Sequence, residues 1–483
     1  MVKDNRNLSM LTDYYELTMS NGYLKLGMED TLAVFDLFYR PNEESSYAVA
    51  AGLEQAIEYI LNLHFDKEDV EYLRQTKEMS EEFLNYLLHF KFSGNIYAVE
   101  EGTVVFPYEP ILTVEAPIIE AQIVESALLC IVNFQTLIAT KANRVCRSAG
   151  SAAVLEFGLR RAQAPDAAIY GARASVIAGC VGTSNVLSSQ MLNLMPKGTH
   201  AHSWVMSFSN ELEAFRAYAN LYPKNCMLLV DTYDTLKSGV PNAIVVFDEM
   251  KKQGLKPTGI RLDSGDLAYL SKKARIMLDD AGHSDCKIFA SGDLDEYVIA
   301  DLNTQGAKID VYGVGTRLIT SFNTPSLGGV YKLAALKGKN GGYIPKMKVS
   351  DNPVKTTNPG RKTYYRLMDK ASDKAVADLI CLYDEVIDES KPLTITHPVE
   401  RWKRLTLTNF YALPLMRTII ERGKLVYNLP DMKGLQSNTK KSLAMFWEEH
   451  TRNTKSETYK VDLSDKLYAV KEEFLFKARN GVK

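Results

Sequence analysis

The chain has 483 residues, too many for one hydrophobic core, and points to two or three domains of about 100–250 residues each. Hydrophobic residues at 46% and charged residues at 24% exclude a disordered or fibrous chain. A net charge of -2 excludes a broadly basic nucleic-acid binder, so a small-molecule partner is expected. The six cysteines never form C-x-x-C, which argues against disulfides and structural zinc. The N-terminus MVKDNRNLSMLTDYYELTM has no apolar signal core, and no run approaches the roughly 20 apolar residues of a membrane span. The reading is a cytoplasmic protein with no membrane and no nucleic-acid partner.

In chain order, residues 1–135 mix helical periodicity (LEQAIEYILNLHF, EEFLNYLLHF) with alternating strands (TLAVFDLFYR, NIYAVEEGTVVF, PILTVEAP), an N-terminal α+β domain. Residues 136–335 then alternate short apolar strands with amphipathic helices. The strands are AVLEF, CMLLVD, TGIRLD, KIFAS and KIDVYGVG; the helices are NELEAFRAYANLY, NAIVVFDEMKKQG, DLAYLSKKARIMLDDAG and LDEYVIADLNTQG. Such a pattern predicts an α/β domain with a parallel sheet, an irregular TIM-like barrel in first place and an open doubly wound sheet as the alternative. No G-x-G-x-x-G turn favours the dinucleotide-binding form of that alternative. Residues 336–483 read as a C-terminal extension that opens with a cationic loop over 338–362.

The predicted strand ends are polar. The first runs into Glu156, Phe157, Gly158, Arg160 and Arg161; the second ends at Asp231; the third gives Arg261 and Asp263. Ser-Gly-Asp follows the third strand at 264–266 and ends the fourth at 291–293, and the fifth gives Gly313, Gly315 and Thr316. Small residues and glycine before a helix expose backbone N–H groups and suit anions, so several phosphates on one ligand are expected. Asp231 and Asp263 could hold magnesium against them. No P-loop motif occurs. Of seven histidines, His200 and His202 stand in a Gly-Thr loop before a helix, where a nucleophile or general acid near phosphate is the favoured functional reading and a metal pair the weaker one.

Taken together, LTDYYELTM, FDLFYR, EFGLRRAQAPDAAIYGARAS, GTSNV, GTHAHSW, LVDTYDTLKSG, GIRLDSGDL, YGVGTR, SLGGVYKL and NPGRK resemble the nicotinate phosphoribosyltransferase family, in the family's order and over essentially the whole chain. The resemblance implies an irregular α/β barrel, a homodimer with shared active sites, and condensation of nicotinate with phosphoribosyl pyrophosphate, coupled to ATP hydrolysis through a phosphohistidine. That histidine is His202 by motif position; His200 falls where the family varies and has no assigned role. The resemblance also implies an aromatic sandwich of Tyr15, from the other subunit, with Phe157 for the pyridine ring. It implies nicotinate contacts from Arg261, Thr199 and Ser184, and donor-phosphate contacts from Arg40, Arg144 and Arg160. Gly292, Asp293, Gly315 and Thr316 match contacts to the 5′-phosphate and ribose. Asp231 and Asp263 match acids that serve ribose or magnesium, and Lys346, Lys348, Lys355 and Arg361 are candidates to close over the donor.

The nicotinamide-using relatives place an aspartate in the segment that here reads Gly182-Thr183-Ser184-Asn185. A carboxylate there would repel an acid substrate, whereas a serine donates to it, which favours nicotinate. The decarboxylating quinolinate enzymes are usually shorter. A non-catalytic nucleotide sensor and a magnesium-dependent sugar-phosphate aldolase or isomerase are the rivals from other classes.

Overall fold

Five apolar runs between residues 153 and 314 form strands, as their β-branched content dictates: Ala153–Glu156, Met227–Leu229, Gly259–Leu262, Lys287–Ser291 and Val311–Val314. All pair in parallel, in the order second, third, fourth, fifth, first. A parallel return needs a crossover, supplied here by the helices Val240–Lys252, Leu267–Asp280 and Glu296–Thr304. Asp266 starts the second of these by accepting from the Tyr269 N–H, and Asp295 starts the third by accepting from Tyr297 and Val298. This computed structural model describes residues 6–41, 45–352, 355–400 and 402–480, so Pro353 and Val354 of the cationic loop lie outside the described residues.

Winding in one direction, with the first strand against the last, is the order of a barrel wall and not of a doubly wound sheet. The wall is nevertheless not an eight-stranded barrel. Among the described residues it has five strands, and an opening between the first strand and the second. An irregular segment spans that opening. The Val181 N–H donates to the Val154 carbonyl at 2.9 Å and the Ser184 N–H to the Glu156 carbonyl at 3.0 Å, which adds a parallel bridge between Glu156 and Thr183. At its far end, the His200 Nε2 accepts from the Leu229 N–H at 3.2 Å. Gly179 at φ +128, Gly182, Pro196 and Gly198 break any regular strand between those anchors. The result is a curled half-barrel. Its interior packs Leu155, Met227 and Phe289 against Phe157 and Val311.

The three consecutive segments read from the sequence correspond to two compact units: Ile138–Pro325, described above, and Met1–Leu137 together with Ser326–Lys483. The C-terminal stretch is therefore not an appendage. Its strand Gly329–Lys337 pairs with Leu32–Tyr39, and Met416–Glu421 pairs with Asn95–Val99, inside one antiparallel seven-stranded sheet. One hydrophobic core holds Leu37, Val114 and Leu128 together with Tyr331, Tyr364, Ile380 and Ile419. A second, six-stranded sheet carries the fully buried Arg366, whose guanidinium grips Asp378 at 2.7 and 3.0 Å. No helix among the described residues is long and apolar enough to cross a membrane.

Candidate active site

At the C-terminal ends of the parallel strands lies a cleft of about 430 Å³, in the size range of small-ligand sites. Phe157, Arg160, Arg161, Ser184, Thr199, Arg261, Asp263, Ser291, Gly292, Asp293, Gly313, Gly315 and Thr316 line it. The fold has thus gathered all five strand ends or their following turns except that of the second strand. Of the candidates from the sequence, Phe157, Arg160, Ser184, Thr199, Arg261, Asp263, Gly292, Asp293, Gly315 and Thr316 stand together.

Arg261 is the centre of the cleft. Its Nε donates to the Ser291 hydroxyl at 2.8 Å, its Nη1 to the Thr199 hydroxyl at 3.2 Å and its Nη2 to Asp263 Oδ1 at 2.8 Å. A guanidinium has five N–H donors, so these three bonds leave two, one on each terminal nitrogen. That pair is the fork a planar carboxylate accepts. The guanidinium carbon lies 5.7 Å from the Phe157 ring centroid and 5.8 Å from that of Phe289, and the two rings stack with centroids 5.6 Å apart. A flat, electron-poor ring can lie on such a plate with its acidic substituent on the fork. Gly313 makes room for the plate, because a Cβ there would sit 2.8 Å from both rings.

Burial pushes the Asp263 carboxyl up, but the Ser291 hydroxyl, the Arg261 guanidinium and the nearby His202 outweigh it and hold the group below its ordinary range. Asp263 is therefore a carboxylate at neutral pH. Its backbone N–H and the Ser264 hydroxyl donate to Asp231 Oδ2 at 2.9 and 2.7 Å. The other Asp231 oxygen is buried with no hydrogen-bond partner. Among the described residues no group of three His, Cys, Asp or Glu side chains could cage a metal. The two aspartates, with one lone oxygen to offer, fit a hard cation that takes its remaining ligands from water and phosphate.

His202 opens the short helix His202–Met206, and its Nδ1 sits 3.1 Å from the Thr232 hydroxyl. Its Nε2 is 3.8 Å from Asp263 Oδ2, with the ring part-exposed. His200 differs completely. It is buried, and burial is the main cause that pulls its pKa from the ordinary 6.5 down to about 4. The neutral ring is what accepts from the Leu229 N–H, so this histidine anchors the segment that closes the wall. Because the folded value is depressed, its stability contribution is full above pH 6.5 and is lost as pH falls toward 4, up to about 3 kcal/mol. Urea midpoints at pH 7.5 and pH 5 are expected to diverge more for the wild type than for His200→Gln, which keeps an acceptor but cannot protonate.

Two turns shape the far wall. Gly292 has φ +104, and a Cβ there would stand 2.3 Å from the Asp263 carbonyl oxygen. Both the left-handed backbone and the close approach demand glycine. Gly292→Ala is expected to destabilise the protein by about 2–4 kcal/mol, read as a lower urea midpoint. The second Ser-Gly-Asp triplet does not cap a helix directly, since the following helix starts at Glu296 with Asp295 as its cap. The first triplet is not a cleft wall: Ser264 serves Asp231 and Asp266 serves as a cap.

Arg144 is not in the cleft. It is buried and ion-paired to Glu296 at 2.9 Å, with its Nη2 on the Tyr297 hydroxyl at 2.9 Å, so its role here is to tie two helices together. Tyr15 and Arg40 belong to the other unit: Tyr15 on the helix Tyr14–Lys25, 46% exposed, and Arg40 just after the strand Leu32–Tyr39 with its Nε buried and unbonded. Sequence reasoning passed over Ser291 and Glu156 as site residues. Glu156 is fully buried; burial raises its pKa, while bonds from the Thr183 hydroxyl and the Gly158 N–H oppose that rise. It thereby joins the turn that carries Phe157 to the segment that carries Ser184.

A cleft with a free guanidinium fork over an aromatic plate, facing glycine turns and a paired-aspartate wall, suits an enzyme that handles an aromatic acid beside a phosphorylated compound. Comparison with known proteins agrees. Residues 152–380 match the nicotinate phosphoribosyltransferase family, residues 10–133 its N-terminal domain and residues 361–471 its C-terminal domain. The chain is 46% identical to the nicotinate phosphoribosyltransferase of Bacillus subtilis (strain 168), over 99% of this chain and 97% of that one. The Homo sapiens nicotinate phosphoribosyltransferase is 30% identical over 95% of each chain. The crystal structure of human nicotinic acid phosphoribosyltransferase superposes with a TM-score of 0.84 at 29% identity, covering 96% of this chain and 99% of that one. The chain belongs to the nicotinate phosphoribosyltransferase family.

Proposed function

We propose that this protein condenses nicotinate with phosphoribosyl pyrophosphate to give nicotinate mononucleotide and pyrophosphate, a step of NAD salvage. The observation that carries the reading is the unspent N–H pair of Arg261 above the Phe157–Phe289 plate. The fork takes the carboxylate and the plate takes the ring, which fixes the pyridine nitrogen relative to the donor. That nitrogen attacks the anomeric carbon as the C–O bond to pyrophosphate breaks, through a transition state of oxocarbenium character. Arg160 faces the donor's phosphates, and the turns at Gly292-Asp293 and Gly315-Thr316 receive its 5′-phosphate and ribose. A magnesium ion held by Asp231 and Asp263 would neutralise the leaving group. Ser184, a neutral cleft residue, admits an acid in place of an amide.

ATP is the expected co-substrate, with His202 as the phosphoryl acceptor. When Nδ1–H donates to Thr232, Nε2 keeps its lone pair. The N–P bond then forms at Nε2 as ADP leaves, and water later releases phosphate. The enzyme is expected to act in the cytoplasm as a homodimer, to which Tyr15 of a second copy would bring another aromatic face. Purified protein with magnesium and phosphoribosyl pyrophosphate tests the reading: nicotinate should yield its mononucleotide, faster with ATP. Turnover of nicotinamide instead would mean that Ser184 does not decide specificity, and turnover of neither overturns the proposal.

A further inference from the structure

We infer that Ser291 is a positioning residue that divides the work of Arg261 and Asp263, and so sets the preference for a carboxylate-bearing ring. The inference rests on the proposed function and adds to it the residue that keeps the fork free. Ser291 ends the fourth strand, pairs with Gly313, and is 2% exposed. Its hydroxyl has one proton, which it gives to Asp263 Oδ1, while its oxygen accepts from Arg261 Nε. Asp263 Oδ1 also accepts from Arg261 Nη2. The Nε–Nη2 edge of the guanidinium is thus filled by two oxygens that are bonded to each other.

The alternative arrangement shows what the hydroxyl prevents. An aspartate beside an arginine prefers to take Nε and Nη2 with both of its oxygens, as a bidentate pair. Asp263 does not, because Ser291 occupies Nε. Oδ2 therefore stays unspent toward His202 Nε2, 3.8 Å away. One buried hydroxyl thereby keeps two things available together: the outer N–H pair of Arg261 for the ring's carboxylate, and one oxygen of Asp263 for the histidine side of the cleft. Gly292 makes this geometry attainable, since its missing Cβ lets the end of the fourth strand press against the Asp263 carbonyl.

Without the hydroxyl, Asp263 swings onto Nε and drags the guanidinium plane with it. Ser291→Ala is expected to raise the KM for nicotinate about tenfold and to lower the preference for nicotinate over nicotinamide by a similar factor, about the worth of one hydrogen bond to a charged group. The KM for phosphoribosyl pyrophosphate should stay within twofold. Ser291→Thr, which restores a hydroxyl, should recover most of the nicotinate KM. A purely structural role would instead raise both KM values and lower the thermal midpoint together, with no change in the acid-to-amide ratio. That pattern, or a nicotinate KM within twofold of wild type in Ser291→Ala, overturns the inference. Calorimetric titration of the same variants with nicotinate alone reads the fork without turnover. If the unsubstituted protein makes no nucleotide, the proposed function falls, while a tenfold weaker nicotinate affinity in Ser291→Ala would still uphold the role of Ser291.

Discussion

Arg261→Ala is expected to lower kcat/KM for nicotinate by about 10²–10⁴-fold, because two hydrogen bonds to a charged carboxylate disappear at about 1.5–3 kcal/mol each. The loss has a second component inside the cleft. Asp263 loses a partner that offsets its burial, so its pKa drifts upward from below the ordinary range. The activity profile should therefore lose more of its acid side than the wild type does, where Asp263 remains ionised. Arg261→Lys keeps charge but loses the fork, and the three directions that Ser291, Thr199 and Asp263 now define cannot all be met by one ammonium group. Its rate is expected to lie nearer to the alanine variant than to the wild type. Steady-state kinetics with nicotinate at saturating donor measure both.

His202→Ala should leave a slow, ATP-independent reaction and abolish stimulation by ATP. The ring stands at the edge of the cleft, with Thr232 on one nitrogen and Asp263 near the other, and it makes none of the bonds that hold Arg261. Removing it takes away a phosphoryl acceptor while the acceptor-ring site keeps its geometry. The two outcomes separate cleanly in one experiment: nucleotide formation with and without ATP, alongside acid-labile ³²P incorporation from labelled ATP. Stimulation that persists in the variant would sink the assignment of His202.

Much of the half-barrel was legible in the sequence because its signals are local. Each of the five strands is a short β-branched run, and each crossover helix repeats its apolar positions at helical spacing. What could not be read was the closure of the wall. The stretch from Val181 to His200 carries no strand period, and its anchors are one backbone bridge and one imidazole. The same limit applies to His200 and His202, two residues apart: the sequence treats them alike, while burial makes one a neutral anchor and leaves the other part-exposed. Arg144 resembles a phosphate contact until Glu296, far along the chain, claims it. Ser291 looked like one more turn serine, because its partners come from a neighbouring strand. The C-terminal stretch read as an extension since nothing local reveals that Gly329–Lys337 pairs with Leu32–Tyr39.

That last pairing has a consequence for how the chain is born. Leu32–Tyr39 lies between Leu112–Pro117, made soon after it, and Gly329–Lys337, made much later. At about 5–20 residues per second, the ribosome needs on the order of tens of seconds to deliver the second neighbour. Residues 138–325 emerge whole in that interval and are free to fold as an insertion. Meanwhile a strand whose residues are nearly all destined for burial waits with one edge open. The nascent protein is therefore most vulnerable to aggregation before its last third is made, and truncation ahead of residue 329 should cost more solubility than its length suggests.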